Sequence, residues 1–184
     1  MKPALLPSAE QRLHQIALAR QAVLHEGRSL ADPHTDGADG AWIERSWRRC
    51  LAWGHRPEHR LAFDLISPRA PRQHQDANHH LVSAARPVLE KLGRAIATTR
   101  YFAILTDAEG VILDSLGHTD FAARATQVAL RPGVPWSEST TGTNAIGAAL
   151  IERRAVEVRG PEHYFQGHHI LNSAAMPILD PRGG

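Results

Sequence analysis

The sequence predicts an α+β fold, with helices in its first half and an antiparallel sheet in its second. Three observations lead there. Apolar residues recur at spacings of three and four as far as about residue 99. From residue 101 the period shortens to strand-like runs separated by turn residues. A long irregular segment, 130–143, then leads into a helix of small residues. The composition agrees: 184 residues with 42% apolar and 22% charged side chains suit a soluble globular chain of about one domain. Collagen-like, disulfide-framework and low-complexity chains are excluded. No apolar run approaches the roughly 18 residues of a spanning helix. The opening MKPALLPSAEQ lacks a secretory apolar core, so a cytoplasmic protein is expected. Cys50 is the only cysteine and can form no internal disulfide.

Ser8 reads as a helix N-cap with Gln11 as its capping-box partner. Leu13, Ile16, Ala17, Val23 and Leu24 give the stripe, and Gly27 ends it. Residues 27–40 are rich in Gly, Asp and Pro and read as a loop. A helix over 41–53 divides Ile43, Trp47 and Cys50 from Arg45, Arg48 and Arg49. Residues 54–73 form a proline-marked linker. Helical spacing returns over 73–99, where Leu81, Ala85, Val88, Leu92 and Ile96 approach a coiled-coil seam, serving either the domain's own core or a dimer. Tyr101–Thr106 and Val111–Leu116 read as strands joined by the turn Asp107–Gly110, with Asp first and Gly last. Helices are expected over 119–129 and 144–151, and strands over 155–158 and 171–179. Residues 180–183 repeat the turn pattern of 107–110.

Charge divides the chain. Residues 1–100 carry 15 Lys and Arg against 10 Asp and Glu, and residues 101–184 carry 6 against 9. That suggests two units with different tasks. The first half is too weakly basic to be a nucleic-acid tail.

The strings WSESTTGTNAIGAAL (136–150), EHYF (162–165) and AAMPILDPRG (174–183) occur in this order, after IERSWRRC (43–50) and LVSAARPVLEKL (81–92). Together they resemble the GAF-type sensory domain of sigma-54-dependent transcriptional activators, close to the acetoin and glycerol/dihydroxyacetone catabolism regulators. The resemblance implies a GAF-like antiparallel sheet flanked by helices and preceded by a helical N-terminal arm. It sets the expected division at 1–72 for arm and linker and 73–184 for the sensory domain. It also implies that an AAA+ module and a DNA-binding module follow in a full-length regulator, and neither is legible here. There is no G-x-x-x-x-G-K-[ST] phosphate loop, and the Gly142/Gly147 pair reads as a helix start with close packing. Because only Gly184 follows the 180–183 turn, the domain is expected to be truncated, missing its last strand.

Enzymatic readings find little support. No H-E-x-x-H pattern organises the 12 histidines, so no metal and no cofactor are expected. Cys50 falls on an apolar stripe, where a buried thiol is inert. Ser137, Ser139, Thr140 and Thr141 lack a base partner and suit helix capping, so no catalytic residue is assigned. Binding remains. Trp136, Glu138, Thr143, Asn144, His163 and Phe165, with Tyr164, combine aromatic walls with convergent polar groups. They would either line an effector pocket or close the core. The expected function is signal sensing: a small effector or a signalling protein shifts the balance between two arrangements and so controls an output module. A homodimer through the 81–96 helix is expected. The alternative is a module in which Arg45, Arg48 and Arg49 contact nucleic acid or an acidic partner.

Overall fold

The structure is a computed structural model that describes residues 8–30, 41–59, 70–117 and 129–179. Its helices are α1 (Ala9–Arg20), α2 (Ala41–Ala52), α3 (Ala70–Ala77), α4 (His79–Ile96), α5 (Glu138–Thr141) and α6 (Ala145–Glu152). Its strands are β1 (Phe102–Thr106), β2 (Ile112–Gly117), β3 (Val156–Arg159) and β4 (Asn172–Ala175). A π-helical turn, Gln21–His25, follows α1 directly. Short 3-10 turns, Gly160–Glu162 and Gln166–His168, lie between β3 and β4. The fold is therefore α+β with antiparallel pairing. The helix expected over 119–129, apart from residue 129, and the turn at 180–183 lie outside the described residues.

Two compact units form, one from Met1–Arg60 with Thr141–Gly184 and the other from Leu61–Thr140. This grouping differs from a division at 72/73. The early helices α1 and α2 group with the last third of the chain.

In the first unit Ser8 caps α1 through a complete capping box with Gln11, as the sequence implies. The α2 helix ends where Gly54 takes a φ of +78° and the His55 N–H reaches back to the Cys50 carbonyl. The core joins Trp42 to Ala145, Ala148 and Ala149 of α6 and to Val156 and Val158 of β3. Small side chains let α6 lie close to the β3–β4 pair, where Val156 faces Ala175 and Arg159 faces Asn172. Trp47 and Cys50 are buried and Ile43 is half-buried. Trp42 is buried beside them, one position outside the expected stripe.

In the second unit the expected 73–99 helix is two helices, α3 and α4. Asn78 breaks the run: its backbone and side-chain N–H groups both donate to the His74 carbonyl, at 3.1 and 2.9 Å. Leu89 of α4 packs with Ala103, Leu105 and Leu113, supported by Leu81, Val82, Ala85 and Ile96. The seam therefore splits. Val88 (68% exposed) and Leu92 (46%) point away from this core. The Asp107–Gly110 turn forms as read: the Asp107 carboxylate accepts the N–H groups of Glu109 and Val111, and Gly110 has a φ of +80°. His74 of α3 donates to the same carboxylate at 2.7 Å. The turn delivers β2 antiparallel to β1, with an irregularity at Leu105/Thr106.

Among the described residues the antiparallel pairing expected from the resemblance is present as two two-stranded pairs, β1–β2 and β3–β4. Among the described residues no further strand pairs with β1 or β4.

Trp136 is buried, and its indole N–H donates to the Ala129 carbonyl at 2.8 Å. Trp136→Ala should lower unfolding stability by about 3–5 kcal/mol, the usual cost of truncating a core aromatic, as read by urea denaturation.

Candidate functional site

The loop between β3 and β4 is irregular yet buried, so its backbone polar groups need partners other than a sheet. It begins with a local box. Glu162 accepts the Arg159 N–H at 2.8 Å, and the His163 N–H closes on the Gly160 carbonyl at 3.1 Å. Glu162 also receives Arg12 of α1, at 2.9 Å.

The next four carbonyls are all taken by the first two helices. Arg20, at the end of α1, donates Nη1 to the carbonyls of Pro161 (2.9 Å) and His163 (2.8 Å) and Nη2 to that of Tyr164 (3.0 Å). The Trp47 indole N–H takes the remaining Glu162 carbonyl at 2.9 Å. The guanidinium lies 5.5 Å from the centre of the Trp47 ring, within cation–π range. Burial lowers the Arg20 pKa from its ordinary value, with the nearby acidic groups Tyr164 and Glu58 opposing the shift.

A third segment enters at 142–144. The Tyr164 N–H donates to the Thr143 carbonyl at 3.3 Å. The Thr143 hydroxyl lies 2.6 Å from the Ser46 hydroxyl and 3.6 Å from the Cys50 sulfur. Asn144 caps α6: its Oδ1 accepts the Gly147 N–H at 3.0 Å, while its Nδ2 donates to the Gly142 carbonyl and the Thr141 hydroxyl. Gly142 has a φ of +66°, and a Cβ there would come within 2.8 Å of the Phe165 ring. Only glycine fits. On the far side the Tyr164 hydroxyl donates to the His55 carbonyl at 2.7 Å, and the Gln166 N–H reaches the Pro57 carbonyl. The SWRRC, GTNAIG and EHYF strings thus meet in one joint.

Three histidines belong to it. His163 is fully buried, with Nδ1 on the Gly160 carbonyl (3.0 Å) and Nε2 on the Ser173 hydroxyl (3.2 Å). A carbonyl only accepts, so Nδ1 carries the proton and the neutral imidazole accepts from Ser173. Burial pushes His163 down to about 4, the Gly160 hydrogen bond opposing and His168 and His169 reinforcing the shift. Burial likewise takes His168 to about 4, with His169 adding to it. His169 is also lowered, by burial and then by the Arg20 charge. Tyr164 moves the other way, pushed up to about 12 chiefly by burial. Burial thus disfavours the charged form of all three imidazoles, and the His163 ring is held at both nitrogens. Among the described residues no three His, Cys, Asp or Glu side chains gather as a metal site.

Four of the six residues read as ligand contacts, Thr143, Asn144, His163 and Phe165, come together here. Trp136 and Glu138, both buried, belong to the 61–140 unit. Arg45, Arg48 and Arg49 do not form a free basic face. Arg45 and Arg49 both pair with Glu152 at the end of α6, and Arg48 pairs with Glu44 at 2.8 Å. Arg45 is exposed, whereas Arg48 and Arg49 are half-buried. Burial alone would raise both carboxyls, but the hydrogen bonds outweigh it and hold Glu44 and Glu152 below the usual range. Arg20 and Arg12 were not singled out by sequence. A signal existed for Arg20: it lies at helical spacing from Leu13, Ala17 and Val23, a charge on an apolar stripe.

The family model described as MimR, N-terminal domain, matches residues 33–183. The acetoin catabolism regulatory protein of Cupriavidus necator is 33% identical over 147 residues, 79% of this chain and 22% of that protein. The acetoin dehydrogenase operon transcriptional activator AcoR of Bacillus subtilis is 33% identical over 74% of this chain and 22% of its own length. The propane 2-monooxygenase operon transcriptional activator MimR of Mycolicibacterium smegmatis is 35% identical over 89% of this chain and 26% of its own length. The chain thus spans about a quarter of these relatives. The crystal structure of the E. coli DhaR(N)–DhaL complex has a chain of the same fold, with a TM-score of 0.72 at 20% identity over 78% of this chain and 48% of that one.

Two outcomes follow from the joint. Trp47→Phe keeps an aromatic ring, though a smaller one, and leaves the buried Glu162 carbonyl unpaired, which together should cost at least about 1–3 kcal/mol in denaturant unfolding. Histidine in the unfolded chain titrates near 6.5, and His163 and His168 in the fold near 4. Between those values the unfolded state binds more protons, so stability should be complete above pH 6.5 and fall as pH drops toward 4. A melting temperature that is flat from pH 7 to 4.5 would contradict the buried neutral imidazoles.

Proposed function

The chain belongs to the MimR N-terminal domain family, and from that premise we propose that it is the signal-receiving region of a bacterial transcriptional activator. In this reading it binds a small effector or a signalling protein and governs an output module carried elsewhere. The relatives are transcriptional regulators of acetoin and propane operons. A small metabolite such as a hydroxyketone of the acetoin kind is one candidate signal. The solved neighbour, a complex with DhaL, makes a protein partner the other.

One observation carries the reading. The three strings shared with sensory regulators converge on a buried joint in which the polar groups hold one another. Thr143, Asn144, His163 and Phe165 are proposed as the residues through which a signal is felt, because repacking any of them moves the joint. Among the described residues no helix is long and apolar enough to cross a membrane. Control of a sigma-54-dependent AAA+ module and dimerisation through the exposed Val88 and Leu92 of α4 complete the proposal. The nucleic-acid alternative loses support from the Glu44 and Glu152 ion pairs, which occupy the α2 arginines.

The test is a thermal-shift and calorimetric titration of the chain with short-chain hydroxyketones, diols and secondary alcohols. A saturable rise in melting temperature that is lost in Thr143→Val is expected for the effector reading. Titration with duplex DNA should show no binding; DNA affinity falling steeply with salt would favour the α2 arginine face instead.

A further inference from the structure

Helix α1 is held in an unusual way. None of its residues is buried, and Leu13 (52%) and Leu18 (58%) are exposed. Among the described residues its side-chain hydrogen bonds to the rest of the unit come from two positions, Arg12 on Glu162 and Arg20 on the three carbonyls, and the Arg20 guanidinium also lies against the Trp47 ring. Burial resumes only past the helix, at Ala22 and Val23 in the π-helical turn. Such a wide turn inside a helical run is a recognised place for functional irregularity. Within α1 itself Ile16 and Ala19 are no more than half-buried, so the hydrophobic anchoring of the segment is concentrated beyond its C-terminal end.

We propose that α1 is a regulatory strap: an element that docks on the 160–168 loop through Arg20, detaches without unfolding the β3–β4 core, and so couples loop conformation to the N-terminus. The Arg20 fork reads the positions of three carbonyls at once. It is satisfied in full only when Pro161, His163 and Tyr164 hold their carbonyls within hydrogen-bond reach together, so a rearrangement of the loop that carries any of them beyond that reach weakens the attachment. Coupling of this kind is reciprocal: what repacks the loop loosens the strap, and what displaces the strap frees the loop. The two-point polar attachment is the low-stability end of the unit, the end from which switching elements are drawn. The proposal rests on the fold alone and stands apart from the identity of any effector.

Native-state hydrogen exchange of the 184-residue chain, read by mass spectrometry on peptides covering 9–20, 145–152 and 160–169, tests it. In the wild type, 9–20 should open at a denaturant concentration where 145–152 stays protected; opening together would overturn the proposal, whatever the variants do. Arg20→Lys keeps the charge but loses the fork, and should raise exchange in 9–20 and 160–169 about tenfold or more while leaving 145–152 unchanged. Unchanged exchange in 9–20, or equal loosening of 145–152, would make Arg20 ordinary support and end the argument. Tyr164→Phe removes only the bond to the His55 carbonyl on the far side of the loop. It should raise exchange in 9–20 about threefold, and no change there would show that loop and strap are not coupled.

Discussion

Four consecutive carbonyls, Pro161 to Tyr164, run from a short 3-10 turn into irregular, largely buried backbone, and each must find a donor. Arg20 and Trp47 supply all four. Much of the first unit follows from that requirement. The end of α1 must sit over the loop, α2 must turn the Trp47 indole edge toward Glu162, and the two side chains stack because they serve neighbouring acceptors. Thr143 then meets both Ser46 and the Tyr164 N–H, and Gly142 must lack a side chain because Phe165 lies against it. A charged fork on neutral carbonyls is stronger than an amide donor and more demanding in geometry. The loop is therefore set by partners more than a hundred residues earlier in sequence.

The α2 arginines are spent in a similar way. Arg45 and Arg49 converge on Glu152 and so tie α2 to the end of α6, while Arg48 closes on Glu44, which also accepts from Ser29 and Leu30. A net positive first half had suggested a separate task for that half. Its charge instead meets carboxylates of the second half within one unit, so the split at residue 100 does not follow the units. Three of the histidines are likewise shifted toward their neutral form by burial.

Local chemistry was legible and distant chemistry was not. Ser8 with Gln11, the Asp107–Gly110 turn and the α2 stripe are decided by residues three or four apart, and each is present. The Asn78 break was missed because its competitor is a side-chain amide acting on the backbone, which leaves apolar spacing intact. Glu152 was missed because its partners lie 103 and 107 positions away. Arg20 clamps main-chain oxygens, which have no sequence signature. At the site, Thr143, Asn144, His163 and Phe165 were visible through their motif strings, whereas the residues that hold the loop, Arg20 and Arg12, were not. The antiparallel sheet came from family resemblance more than from local pattern, and among the described residues it is present as the β1–β2 and β3–β4 pairs.

The central claim is that Arg20 and Trp47 act as one unit on the 161–164 carbonyls. A double-mutant cycle tests it most directly, using Arg20→Lys, Trp47→Phe and the pair, with unfolding free energies from urea titration. Shared acceptor geometry and the stacked guanidinium predict non-additivity of about 0.5–3 kcal/mol, the double variant losing less than the two singles together. Strict additivity would mean that the two side chains act on independent parts of the structure, and would contradict the account.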